Sequence, residues 1–106
     1  MPCRIALACL LSAAVLAGCA SPSVEFAGAP DQRVTIEGTR FAVFRRGDAA
    51  QAIRLDHASR AEQPRMPARL RAAIEVATGC TIVAGSDGPT LGLQNDSAVL
   101  TARIAC

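Results

Sequence analysis

The stretch P67-A-R-L-R-A-A-I-E-V-A-T-G79-C80 decides the fold predicted for this chain. Proline suits the first turn of a helix, where its missing N–H would be unpaired in any case. Apolar side chains then recur at helical spacing and form one stripe, made of Leu70, Ala73, Ile74 and Ala77. Gly79 is the residue type that most often ends a helix in the left-handed conformation. We therefore predict a helix over 67–78, followed closely by Cys80.

Three short segments before this helix alternate between apolar and polar residues, a pattern typical of β-strands. They are 33–37, 40–46 and 49–56, and the dipeptides between them, Gly38-Thr39 and Gly47-Asp48, are common in tight turns. Short alternating runs joined by tight turns indicate an antiparallel meander.

Three further strand-like segments follow the helix, at 81–84, 90–94 and 97–106. The last is the longest alternating run, and Cys106 shares a face in it with Leu100 and Ile104. The predicted fold class is therefore α+β, with about six short strands in the order β-β-β-α-β-β-β. One helix packs on one face of a small antiparallel sheet, within a single domain over 33–106.

The pattern of the N-terminal region predicts a processing signal that is not part of this domain. A twelve-residue apolar run, 5–16, would span only about 18 Å as a helix, short of the roughly 30 Å bilayer core. The run ends in Leu16-Ala17-Gly18-Cys19, which resembles the lipobox of bacterial lipoproteins. The resemblance implies that the signal peptide 1–18 is removed and that Cys19 is lipidated. The alternative is an ordinary secretory signal with an incidental cysteine.

Residues 19–32 lack hydrophobic periodicity and contain Ser-Pro-Ser and Gly-Ala-Pro-Asp. We predict a lipidated N-terminus and a flexible tether in this segment. Ala20 stands where many lipoproteins retained at the inner membrane have Asp. The expected location is therefore the bacterial cell envelope, at the outer membrane and facing the periplasm.

The cysteine count follows from this processing. Of five cysteines, Cys3 and Cys9 would leave with the signal peptide and Cys19 would be acylated. Cys80 and Cys106 remain, and in an oxidising compartment we expect them to form a disulfide. The alternative is a redox-active or metal-binding pair, but the chain has no Cys-x-x-Cys and a single His, His57.

Charge and composition narrow the function classes. Loss of Arg4 with the signal peptide leaves ten arginines against nine acidic residues, a net charge of +1, and the chain has neither Tyr nor Trp. We therefore expect no nucleic-acid partner. His57 follows Asp56 directly, and neighbours on a strand point to opposite faces, so a catalytic dyad is not expected there. We predict no catalytic residues, no metal and no cofactor.

One window of the chain is basic. Residues 45–71 hold seven arginines against three acidic residues, and guanidinium groups suit phosphate and carboxylate ligands. The alternative is an ordinary solvated face. The candidate anion-binding residues are Arg45, Arg46, Arg54, Arg65 and Arg69.

Region 33–106 also resembles small lipoproteins of alphaproteobacterial type, through Ala-Thr-Gly-Cys at 77–80 and the cysteine that ends the last strand. That resemblance brings no known activity. The first functional hypothesis is a non-enzymatic, lipid-anchored periplasmic module that binds an envelope protein or component. The second is recognition of an anionic envelope ligand, such as lipid phosphate, lipopolysaccharide or peptidoglycan, by the arginines. A small hydrolase is a third hypothesis, which no Gly-x-Ser-x-Gly motif supports.

Overall fold

A computed structural model of the chain describes residues 23–87 and 98–106. The predicted signal peptide 1–18, the lipidation residue Cys19 and the predicted strand 90–94 lie outside the described residues. The described part is an α+β fold, as predicted, in which one helix packs against an antiparallel sheet. None of the helices in the described ranges is long and apolar enough to cross a bilayer.

The sheet contains five strands within the described residues, rather than the six predicted. The elements, in chain order, are β1 (Asp31–Ile36), β2 (Thr39–Arg46), β3 (Ala49–Arg54), α1 (Met66–Thr78), β4 (Thr81–Ile82) and β5 (Val99–Ala105). Short 3-10 turns cover Val24–Phe26 and Gln63–Arg65. The order across the sheet is β1-β2-β3-β5-β4, and every neighbouring pair is antiparallel.

The helix confirms its prediction to within one residue. It begins at Met66, with Pro67 in the first turn, and is followed by Gly79, which adopts the left-handed conformation at φ 70°. The N–H of Gly79 donates to the carbonyl oxygen of Glu75 at 2.9 Å, which satisfies an otherwise unpaired carbonyl at the helix end. The predicted stripe faces the sheet, where Leu70, Ala73 and Ile74 are fully buried.

Strand alternation gives the sheet two different faces. The inner face packs against α1 and supplies most of the core, including Phe41, Val43, Ala52 and Leu100. The outer face carries a second apolar cluster, in which Ala42, Phe44 and Ile53 are buried. Because α1 covers only the inner face, the outer cluster needs a separate cover.

The predicted tether is wrong from residue 23 onwards, because this segment supplies that cover. Phe26 is fully buried in the outer cluster, with Ala29 packed against it, and β1 already begins at Asp31. The physical reason is the exposed apolar surface that the outer face would otherwise present. A segment without internal periodicity gives no local signal of such packing.

The predicted disulfide is confirmed. Cys80 follows the end of α1 and Cys106 follows β5, and their sulfurs are bonded with the Cα atoms 4.4 Å apart. The two cysteines are 26 positions apart in sequence. It fixes the end of the helix to the end of the last strand, beside the β4–β5 pairing.

Candidate functional site

The structure does not gather the five candidate arginines into one patch. Arg45 and Arg46 are neighbours on β2 and therefore point to opposite faces of the sheet. Arg54 lies at the far end of β3, where it is paired with Phe41, and it has interaction partners of its own. Arg65 is exposed just before α1, whereas Arg69 lies in the buried stripe of that helix. The basic window is thus distributed over separate surfaces.

Arg69 is held inside the fold by an ion-pair network. Its side chain is 8% exposed, and Nε donates to Oε2 of Glu37 at 3.0 Å. Nη1 donates to Oγ1 of Thr39 and to Oε2 of Glu62, both at 3.2 Å. Hydrogen bonds from Arg69 and then Ser59 hold the pKa of Glu62 below its ordinary value. Two carboxylates therefore neutralise Arg69, and its role is to fix the β1–β2 turn to the helix.

Sequence reasoning missed the partner of Asp56. Arg40 donates to this carboxylate through Nη2 at 2.7 Å and through its backbone N–H at 2.9 Å. The side-chain hydrogen bond is the main reason that the pKa of Asp56 is lowered, and the backbone bond adds to it. The neighbouring His57 is exposed. Asp56 is therefore engaged in an ion pair that joins the start of β2 to the residues after β3.

Arg45 is placed differently from Arg69. Its Nε donates to the carbonyl oxygen of Gly47 at 3.1 Å. Its two terminal nitrogens lie beside the disulfide, with Nη2 3.4 Å from Sγ of Cys106 and Nη1 3.9 Å from Sγ of Cys80. Within residues 23–87 and 98–106, no carboxylate forms an ion pair with it. Since sulfur is only a weak acceptor, these contacts orient the guanidinium without neutralising its charge.

A cavity of about 250 Å³ opens beside Arg45, between the start of β1, the end of β2 and the C-terminal turn of α1. Its lining residues are Pro30, Asp31, Gln32, Val43, Arg45, Ala77 and Thr78. Asp31 is the one acidic residue of this lining, and its Oδ2 accepts a hydrogen bond from Nε of Arg33 at 2.8 Å. The lining therefore combines an apolar wall, the cation of Arg45 and a carboxylate that is already paired with Arg33. The cation of Arg45 can take a ligand group that bears a carboxylate or phosphate.

A second organised region lies on the outer face, where the N-terminal segment crosses the sheet. The backbone N–H of Ser23 donates to Oε1 of Gln51 at 2.9 Å, and Nε2 of Gln51 donates to Oγ1 of Thr101 at 2.8 Å. Nη2 of Arg46 donates to the carbonyl oxygen of Ala27 at 2.8 Å. One feature of the sequence could have indicated that this segment packs on the sheet. Phe26 is one of only three aromatic residues in the chain, and the core needs large apolar side chains.

Groups of three or more His, Cys, Asp and Glu residues with metal-binding geometry do not occur in the described part of the chain. Comparisons with family models, curated proteins and solved structures give no match to this chain. Residues 23–87 and 98–106 define the class of fold, a helix on a five-stranded antiparallel sheet that is closed by a disulfide.

Proposed function

We propose that this chain is a lipid-anchored protein of the bacterial cell envelope, attached to a membrane through Cys19 after removal of the signal peptide 1–18. Its domain acts in the periplasm, at the outer membrane, as a non-enzymatic module that binds an envelope protein or other envelope component. The observation that carries this proposal is the pairing of the cysteines. Cleavage before Cys19 would leave three, and two of them, Cys80 and Cys106, are bonded to each other. The third is the residue that the lipobox assigns to acylation.

Two physical considerations support the proposal. A disulfide in a domain of this size is typical of an oxidising compartment such as the periplasm. The lipobox also offers a way to hold a small domain at a membrane without a spanning helix, because several acyl chains on one cysteine bind durably where a single chain is marginal.

The anchor is tested by expressing the full chain in a Gram-negative bacterium and measuring the intact mass of the protein extracted from membranes. We expect a chain that begins at Cys19, carries the mass of three acyl groups and has no free thiol. The Cys19→Ser variant is the control and should lose the acyl mass. A chain cleaved elsewhere, with an unmodified Cys19, would refute the anchor.

Crosslinking in intact envelopes tests the binding role. A defined protein crosslinked to the domain supports a protein-binding module. Crosslinks to lipid or glycan alone favour direct recognition of an envelope ligand.

A second candidate function is recognition of an anionic envelope group by Arg45, which has no acidic partner in the described part of the chain and lines the cavity. The ligand would present a phosphate or carboxylate, as lipid headgroups, lipopolysaccharide and peptidoglycan do. The chain expressed from Ala20 onwards, which lacks both the signal peptide and the acyl chains, should bind anionic vesicles in a salt-sensitive way and bind neutral vesicles weakly. Arg45→Gln should reduce this binding, whereas Arg65→Gln, an exposed arginine at the other end of α1, should leave it unchanged. Equal binding by both variants would exclude Arg45.

A further inference from the structure

The outer face of the sheet is where the N-terminal segment is fixed. Ser23 is hydrogen-bonded to Gln51, and Phe26 is fully buried three residues later. Gln51 is itself 2% exposed and also bonds to Thr101 on β5. The chain therefore reaches the domain near the middle of the outer face, between β3 and β5, and on the side opposite α1.

This attachment leaves a very short connection to the predicted anchor. Only Ala20, Ser21 and Pro22 lie between Cys19 and Ser23. Four residue steps span at most about 14 Å even when fully extended. Where Cys19 is acylated, which is the part that rests on the proposed function, Ser23 cannot lie farther than this from the bilayer surface.

The surface around this attachment exposes an apolar side chain, a guanidinium group and the carboxylates of Glu25 and Asp48. Val24 is 92% exposed, the most exposed of the large apolar side chains in the described residues. Arg103 follows Thr101 on the same face of β5, and its side chain is 71% exposed and lies 3.6 Å from Asp48. An exposed apolar side chain can enter the lipid interface, while an exposed guanidinium elsewhere on the same face remains at the level of the phosphates.

We infer that the outer face, around Val24 and Arg103, is the surface with which the domain lies on the lipid bilayer. The helix α1 then points away from the membrane. The cavity beside Arg45 is bounded by α1 and by inner-face residues such as Val43, so it lies on the side of the sheet away from the bilayer. In this orientation the ligand of Arg45 in the second candidate function is a soluble anion or a carboxylate of peptidoglycan, rather than a headgroup of the bilayer that holds Cys19.

The native valines provide the test. The acylated full-length product is placed in lipid nanodiscs that contain a nitroxide-labelled headgroup, and the loss of each valine methyl signal is measured by NMR. Val24 should lose signal in any orientation, because it is close to the anchor in sequence. The deciding comparison is between Val99, on the outer face of β5 opposite Ile53, and Val76, which is 64% exposed on α1. We expect Val99 to lose most of its intensity and Val76 to keep most of it.

The mass of the same sample separates the two proposals. If Cys19 is triacylated and Val99 and Val76 lose equal intensity, the orientation is refuted while the lipid anchor stands. If Val76 loses more, the domain lies on its helix and the orientation is likewise refuted. If Cys19 carries no acyl chain, the anchor and the orientation fail together.

Arg103→Glu tests the charged part of the contact. In nanodiscs rich in anionic lipid, we expect this variant to lower the signal loss at Val99, because it places a carboxylate beside Asp48 on the lipid-facing side. Arg60→Glu, at an exposed position in the loop before α1, is the matched control and should leave the contrast unchanged. The same Val99 loss in both variants would remove Arg103 from the contact surface.

Discussion

Ser23 and Gln51 are joined by two hydrogen bonds, although 28 residues separate them in sequence. The backbone N–H of Ser23 donates to Oε1 of Gln51 at 2.9 Å, and Nε2 of Gln51 donates to Oγ of Ser23 at 3.2 Å. The same amide nitrogen donates to Thr101 at 2.8 Å. A single buried amide therefore joins the N-terminal segment, β3 and β5.

Replacing this amide should destabilise the domain. Gln51→Leu leaves the N–H of Ser23 and the hydroxyl of Thr101 without their buried partner, so we expect the free energy of unfolding to fall by about 1–3 kcal/mol. Urea denaturation measures the change. Gln63→Leu, at an exposed position in the turn before α1, is the control and should stay within about 0.5 kcal/mol of the parent. Similar losses in the two variants would contradict the role of Gln51.

Phe26→Ala should remove the cover of the outer face. Phe26 is fully buried in the cluster with Ala42, Phe44 and Ile53, so we expect a loss of about 3 kcal/mol in urea denaturation. Hydrogen exchange at the amide of Ser23 should accelerate as well, because the segment loses its main contact. Val24→Ala, at a side chain that is 92% exposed, should change neither quantity. A Phe26→Ala protein as stable as its parent would mean that the segment is not docked in solution.

The local parts of the fold could be predicted from the sequence because their signals are local. The apolar stripe and Gly79 defined α1, and alternation with tight turns defined β1, β2 and β3. The packing of Phe26 could not be predicted in this way, since it depends on surface contributed by β2 and β3. The position of β5 between β3 and β4 also depends on long-range pairing, so it cannot be predicted from the sequence of β5 alone.

The arginines show a different limit. The net charge of residues 45–71 counts every guanidinium equally. In the fold, burial and ion-pair partners decide which of them is available to a ligand. The opposite faces of Arg45 and Arg46 could have been derived from the two-residue period of a strand. The pairing of Arg69 with Glu37 could not, because the two residues are 32 apart and meet only when α1 packs on the sheet.

Arg69→Met should lower the free energy of unfolding, because Arg69 has a structural role. Thr39 is 6% exposed and loses a buried donor in this variant. Glu37 and Glu62 are 70% and 45% exposed in their side chains and can be rehydrated. We therefore expect a loss of about 1–3 kcal/mol in urea denaturation, below the cost of stranding a fully buried charge. Arg65→Met should have little effect. An unchanged Arg69→Met protein would show that the network does not stabilise the fold.

The disulfide should supply a large part of the stability. The bond joins two cysteines that are 26 positions apart in sequence. For a loop of this length the chain-entropy model gives a stabilisation of about 3.5 kcal/mol. The Cys80→Ser/Cys106→Ser variant should lose about this amount in urea denaturation. Dithiothreitol should lower the stability of the parent to that of the variant and leave the variant unchanged. A parent protein that is insensitive to the reductant under denaturing conditions would contradict the bond.

Acid should weaken the domain through Asp56 and Glu62. Hydrogen bonds from Arg40 lower the pKa of Asp56 below its ordinary 3.8, and those from Arg69 and Ser59 lower the pKa of Glu62 below its ordinary 4.5. A carboxyl whose pKa is lower in the folded state binds fewer protons there than in the unfolded chain. Its stabilising contribution is therefore complete above the ordinary pKa and is lost as the pH falls through the folded pKa. The expected result is a free energy of unfolding that is level near neutral pH and declines below about pH 4.5.

Asp56→Asn isolates the first of these groups. The variant should be less stable than the parent near neutral pH, and its stability should fall less steeply below pH 3.8, because one proton-linked interaction has been removed. The effect is small, since the pair is exposed to solvent and screened by salt. Asp31→Asn, which removes a pair between residues two apart in sequence, is the matched control. Parallel curves for the parent and Asp56→Asn between neutral and acidic pH would show that the Arg40–Asp56 pair does not contribute to stability in solution.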